Sequence, residues 1–359
     1  MTNSNDIRTA FERQSIACDY LGSPFNARLC RLLGERLDQD TTFGRRILTW
    51  NGNPQSDALA LRAAGAFHAL KRQERASLAA AYPPNEVTED ALWQALAAAV
   101  EREDAFLTAF LDSAPQTNEV SRSNAILGGC LHIAARMKQP LDIHEIGASA
   151  GLNLNFDRYH YDLGGREWGS ADAPVKITSA WEGETPPLDA PLAVASRQGS
   201  DLNPLDVSDE AARERLLSYI WPDQTARLQR IEAALAFAAQ SGTAVEKADA
   251  SEWVARHFDK PGEAGRTRVL FHTIVWQYLP AETQARIEAV MEAAARDASE
   301  AAPLAWLSME ADDKEADSAA LRLRLWPSGE DVELARTDFH GRWTRWVGSA
   351  TVRHGTASS

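Results

Sequence analysis

Cysteine is scarce, with three in 359 residues at Cys18, Cys30 and Cys130. An odd number without the close spacing of a zinc site or redox pair argues against a disulfide framework. It predicts buried apolar fillers, no metal, and a reducing, cytoplasmic setting. The chain has no run of about 18 apolar residues, which argues against a membrane span. Met1 to Arg13 is polar and charged, without the apolar stretch of a secretory signal. Positive charge is also short: 37 Lys and Arg against 51 Asp and Glu leave a net charge of -14. Nucleic-acid binding needs a basic surface that releases counterions, so no nucleic acid and no membrane is expected as partner, and a small molecule is.

At 359 residues the chain exceeds what one hydrophobic core usually serves. Residues 1–137 are rich in Ala, Leu, Arg and Glu, with apolar residues at helical spacing in 58–70, 91–100 and 125–135. They predict a helical cap or substrate domain. From residue 138 to 350 the pattern becomes short apolar strands separated by helices: Leu141 to Ile146, Leu192 to Ala195, Thr243 to Glu246, Arg268 to Ile274 and Leu304 to Met309. This alternation predicts an α/β domain with a doubly wound, mostly parallel, Rossmann-like sheet. Leu321, Leu323 and Leu325 alternate with Arg322 and Arg324, and Val332-Glu333-Leu334 resumes the alternation after Pro327-Ser328-Gly329, which predicts a closing antiparallel hairpin. Residues 156–190 read as an inserted ribbon, and 351–359 as a disordered tail.

The sharpest local signal runs from Leu141 to Asn153. An apolar strand ends in Glu145, and Gly147, Ala148, Ser149 and Gly151 let the backbone turn tightly toward a ligand before an expected helix with free N-terminal amides. As Gly-x-Ser-x-Gly the turn matches the nucleophile elbow of an α/β hydrolase, with Ser149 as nucleophile. As a dinucleotide fingerprint it is degenerate, with Asn153 where a third Gly is required. As acid-x-Gly-x-x-x-Gly it matches the first motif of class I S-adenosylmethionine-dependent methyltransferases. The acid favours the third reading, because a carboxylate two residues before the first Gly serves the ammonium end of that cofactor. The bland alternative is a Gly-rich turn that binds nothing.

Downstream residues are each open to two readings. Asp201 is a candidate for ribose hydroxyls or a turn residue. Asp249 with Ala250 is a candidate for the adenine or the N-cap of the helix that follows. His272 is the candidate base, with Tyr278 close enough to assist, or a satisfied histidine at a strand end. Trp276 and Gln277 fall where an acceptor would bind. Asn118, Glu119 and Arg122 are either a substrate wall facing the Gly147 turn or the cap of the helix after them.

The stretches from Gln116 through Arg122, Glu145 through Leu154, Asp157-Arg158-Tyr159, Asp201 with Pro204, and Trp221-Pro222-Asp223-Gln224 with Arg227 resemble the bacterial family called domain of unknown function 2332. The resemblance spans nearly the whole chain. Its C-terminal part is similar to a class I methyltransferase core, which implies S-adenosylmethionine as cofactor and methyl transfer to a small acceptor. The chain departs from ordinary methyltransferases in the insertion before Asp201. It also lacks an Asn/Asp-Pro-Pro-Tyr motif, which argues against amino-group methylation of nucleobases or Gln. Two rivals stand beside this reading. One is a serine hydrolase using Ser149 with Asp249 and His272 or His340, and the other a non-catalytic nucleotide-binding protein. Trp326, Trp343 and Trp346 are read either as a contact surface of a homo-oligomer or as core.

Overall fold

The computed structural model describes residues 4–348, so the expected tail lies outside the described residues. The chain divides into two compact units, Met1–Thr117 with Ser208–Glu232, and Asn118–Val207 with Ala233–Ser359.

The first unit is helical: α1 (Ser4–Tyr20), α2 (Pro24–Arg36), α3 (Thr42–Leu48), α4 (Leu59–Arg72) and α5 (Glu89–Phe110). Their starts follow from side-chain caps: Ser23 ahead of Pro24 on α2, Thr41 on α3 and Thr88 on α5. Leu29, Phe43, Phe67, Leu70, Tyr82 and Leu96 fill its core. The next helix, α6 (Ser123–Met137), belongs to the second unit, whereas α7 (Glu210–Ser218) and the start of α8 (Thr225–Ser241) return to the first. Polar contacts fix that return. Arg72 on α4 meets Glu214 at 2.8 Å and Glu232 at 3.0 Å. Asp223 accepts from the Ser23 hydroxyl and from the Phe25 amide at 2.9 Å, so the Trp221-Pro222-Asp223-Gln224 stretch clamps the start of α2.

The second unit holds β1 (Leu141–Ile146), β2 (His160–Leu163), β3 (Glu167–Trp168), β4 (Lys176–Gly183), β5 (Val194–Asp201), β6 (Val245–Lys247), β7 (Thr267–Thr273), β8 (Leu304–Ala311), β9 (Ala319–Trp326), β10 (Glu330–Thr337) and β11 (Trp343–Trp346). They form one sheet in the order β3-β2-β4-β11-β10-β9-β8-β7-β1-β5-β6. The block β6-β5-β1-β7-β8 is parallel, and β1 and β7 are buried along their whole length, as strands covered on both faces must be.

The α/β class and the N-terminal helices agree with the sequence, but the sheet is mixed. The expected closing hairpin, β9 and β10, is the middle of an antiparallel run from β8 to β11. The inserted ribbon supplies β2, β3 and β4, and β4 pairs in parallel with β11 at the far end of the sheet. The path from β1 to β5 carries no α-helix; a 3-10 segment, Asn153–Arg158, replaces the expected one. The reason is local: the Tyr159 hydroxyl donates to the Leu152 carbonyl at 2.6 Å and the Tyr161 hydroxyl to that of Phe156 at 2.7 Å. These bonds capture carbonyls that a continuing helix would use, and turn the chain back into β2.

Two helices, α9 (Ala250–Phe258) and α10 (Ala281–Arg296), cover one face of the parallel block, with Trp253, Phe258, Ile287 and Met291 against Ile146, Leu270 and Trp306. On the opposite face α6 packs closely. A Cβ at Gly129 would stand 2.6 Å from Leu307, and one at Gly128 2.8 Å from the Trp346 ring. Trp346, itself buried, stacks on Trp181 and is core.

Candidate functional site

The strand order reverses between β1 and β7, whose carboxyl ends carry two adjacent turns, and the crevice at such a reversal is where open α/β sheets take ligands. The first turn is tight: Gly147 and Gly151 have φ of +68° and +69°, and Ser149 stands at +53°. A Cβ at Gly147 would fall 2.5 Å from Val275 in the second turn. There Ile274, a β-branched residue, has φ +50°, an outlier of the kind that surrounding structure must hold in place.

Most amides of the first turn already have protein acceptors. The Ala148 amide donates to the Ser200 carbonyl at 3.0 Å and that of Gly151 to the Ala148 carbonyl at 2.7 Å. Asp201 takes the Ser149 amide at 2.9 Å and Asn118 the Leu152 amide at 2.9 Å. A grip on a ligand through these amides, as the sequence suggested, is therefore largely closed. Side chains are what remain. Glu145 is 1% exposed, and among the described residues its Oε2 has no hydrogen-bond partner; neither have the Ser149 Oγ and the amide Oδ1 and Nδ2 of Asn153, which is itself wholly buried. Burial pushes the Glu145 carboxyl well above its ordinary range, and the charge of Asp201 adds to the shift. Arg122 and the neighbouring Asn153 amide ease it, although that amide is not placed for a well-formed bond.

The other predicted residues fall as follows. Asp201, at the end of β5, accepts from the Ser149 and Asn203 amides and so braces the turn. Asn118 reaches the turn directly. Arg122 donates to the Phe339 carbonyl at 2.8 Å and to that of Thr273 at 3.4 Å, bridging to the end of β7. Glu119 accepts from the Ser121 amide at 3.1 Å. Asp249 is the N-cap of α9: its Oδ1 takes the Ser251 and Glu252 amides and the Ser251 hydroxyl, which hold its carboxyl below the usual range. Ala250 is packed in the core under that helix. Gln277 and Tyr278 are exposed, Tyr278 at 74%. His340 lies in the Asp338 turn, its amide donating to Asp338.

His272 stands apart from Glu145. Residues in register across parallel strands share a face, and Glu145 is opposite Phe271, so His272 points to the other face, toward α10. Both of its ring nitrogens are engaged. The Trp306 indole, a donor only, gives its N–H to Nε2 at 3.0 Å, so Nδ1 carries the proton and donates it to Glu310 at 2.6 Å. Trp276 stacks on the imidazole with centroids 5.1 Å apart. The same Glu310 oxygen accepts the Val275 amide at 3.1 Å and so secures the Ile274 turn. Sequence reasoning missed Glu310 and Ile274. Glu310 had a signal, since it follows the apolar run Leu304 to Met309 much as Glu145 ends that of β1.

Residues 8–346 match the sequence profile of the family described as uncharacterized protein conserved in bacteria, domain of unknown function 2332, and the chain belongs to that family. No curated protein and no solved structure matches it. Among the described residues, no helix is long and apolar enough to cross a membrane.

Proposed function

We propose that this chain binds S-adenosylmethionine against the Gly147 turn and transfers its methyl group to a small acceptor. The observation that carries the reading is the buried Glu145 carboxyl, with an unpartnered Oε2, beside the unpartnered Asn153 amide and Ser149 hydroxyl. Buried polar groups left unbonded are costly, and a cluster of them at the carboxyl end of a central strand is accounted for by a ligand that completes them.

An ammonium group suits Glu145, since it neutralises the carboxylate that burial and Asp201 disfavour. The Asn153 amide and Ser149 hydroxyl offer a donor and acceptor pair for the neighbouring carboxylate of a methionine-like end. Gly147 and Gly151 let the turn close against Val275 and Val245, which stand 2.5 and 3.0 Å from where a Cβ would fall. Asp201 is assigned to the ribose, through lone pairs that its two amide bonds leave over. Asp249 with Ala250 is assigned to the adenine, through the Asp249 oxygen that the cap does not use. When bound, the cofactor supplies a methyl group on a sulfonium, which needs chiefly to be held in line with its acceptor. Asn118 and Arg122 wall this side. His272 faces away from Glu145 with both ring nitrogens engaged, so its role is to hold the Ile274 turn through Glu310.

Calorimetric titration with S-adenosylhomocysteine tests the proposal. Micromolar binding is expected, lost in Glu145→Gln and weakened at least about tenfold, or 1.4 kcal/mol, in Asp249→Ala. An absence of binding to the unaltered protein sinks it. A hydrolase reading has one observation in its favour, the left-handed backbone at Ser149, which resembles the strained turn of a nucleophile elbow. It lacks a base, because the Ser149 Oγ has no hydrogen-bond partner among the described residues. Fluorophosphonate labelling abolished by Ser149→Ala would reinstate it.

A further inference from the structure

We propose that a second site, a cleft of about 210 Å3 over β7, β8 and β9 on the α10 face, binds a small α-amino acid-like zwitterion. Its carboxylate lies against Arg322 and Arg324, its ammonium against Glu310, and its body along the wall that the touching indoles of Trp276 and Trp306 form. The site is on the opposite sheet face from Glu145 and does not rest on the methyltransferase reading.

The cleft is polarised end to end. Because the Trp306 N–H fixes His272 as neutral, the imidazole leaves the Glu310 charge unbalanced. Glu310 spends Oε1 on His272 and Val275, and its Oε2 is left for a cation, with Glu288 of α10 adding negative charge at the mouth. At the other end Arg322 and Arg324, two residues apart on β9 and so on one face, share the single carboxylate of Asp331 at 3.0 and 3.9 Å. One positive charge remains over. Asp312, also on the rim, does not cancel it, since both its oxygens are taken by Arg336 at 2.7 Å.

The spacing suits one small molecule carrying both charges. Ser308 is opposite Arg322 and Glu310 is opposite Ala320. The acidic end is thus two residues along β8 from the basic end, about 7 Å. Ala320 has little side chain to fill the slot at the acidic end, and Ser308 offers a hydroxyl beside Arg322 at the basic end. The two indoles meet edge to face with centroids 5.7 Å apart and line one wall of the slot, and Arg324 stands over the Trp306 ring at 5.0 Å, which holds its charge beside the ligand.

Saturation-transfer NMR on the full chain, with each of the proteinogenic L-amino acids as probe, tests this. At least one is expected to bind at millimolar Kd or tighter, with its N-acetyl and its amide forms at least about tenfold weaker. Arg322→Gln, at a half-exposed position, and Glu310→Gln, which keeps an acceptor for His272, are each expected to weaken it tenfold or more, while Glu145→Gln leaves it unchanged. The proposal is overturned if no amino acid binds, if the blocked forms bind as well as the parent, or if affinity survives Arg322→Gln.

Discussion

At the carboxyl ends of β1 and β7 two buried titratable side chains stand on opposite faces of one sheet. His272 has a partner on each nitrogen, whereas Glu145 has an oxygen that meets no donor among the described residues. A fully bonded buried group is held for architecture, since removing it strands its partners. An unbonded one lowers stability and is explained by what it binds. The comparison breaks first on stability. His272→Ala leaves the Trp306 N–H without its acceptor, Glu310 without one of its donors, and a void beneath Trp276. It is expected to cost about 3–5 kcal/mol in urea unfolding. A loss under about 1 kcal/mol would mean that the bonded histidine is not architectural.

This distinction was only half legible in the sequence. β1 was readable to the residue from Leu141, Ile143 and Ile146 ahead of the glycine turn, even though Asp142, His144 and Glu145 interrupt the apolar run, and the β9–β10 hairpin followed from alternation about Pro327-Ser328-Gly329. The Glu145 turn was readable from its glycines. What failed depends on distant partners. No local pattern says that Trp343–Trp346 pairs with β4, or that residues 208–232 fold back through Asp223 onto α2. A helix after Gly151 was a reasonable inference from small residues, and Tyr159 and Tyr161 overrule it through carbonyls five to seven residues upstream. The tautomer of His272 is set by Trp306 and Glu310, 34 and 38 residues on.

Two further histidines sharpen the contrast, because they are buried with little hydrogen bonding. Burial pushes both His68, in the helical unit, and His144, packed against Trp253 and Phe258, down to about 4. A lowered histidine pKa means that the folded state resists a proton the unfolded chain accepts from about 6.5. The stability it confers is therefore complete above 6.5 and lost as pH falls toward 4, by on the order of 3 kcal/mol for each residue. Unfolding of His144→Phe, followed between neutrality and acid, is expected to lose about that much less than the unaltered protein. An equal loss would assign the acid sensitivity elsewhere.

For Glu145 the sign is opposite. Its folded-state pKa is raised above the ordinary 4.5 by burial and by Asp201, so its contribution is whole below 4.5 and falls as pH rises toward the folded value. Glu145→Gln removes that loss. The variant is expected to be more stable than the unaltered protein at neutral pH, by about 1–2 kcal/mol, and to match it in acid. The gain should accompany the loss of S-adenosylhomocysteine binding. A variant that gains stability while losing a ligand separates a binding group from a structural one, and equal stability at all pH would return Glu145 to the architecture.

The smallest effect falls on Asp249, which belongs to both sides of the comparison, with one oxygen capping α9 and the other assigned to a ligand. Asp249→Ala removes the cap and is expected to cost about 1 kcal/mol. Asparagine caps nearly as well as aspartate, so Asp249→Asn is expected to hold stability within about 0.5 kcal/mol. It replaces an acceptor by a donor on the side away from the helix, and so tests that oxygen alone. Weaker S-adenosylhomocysteine binding at unchanged stability would assign it to the adenine amino group. Unchanged binding would make Asp249 a cap and nothing more, and would leave the adenine end to be sought along β5 and β6.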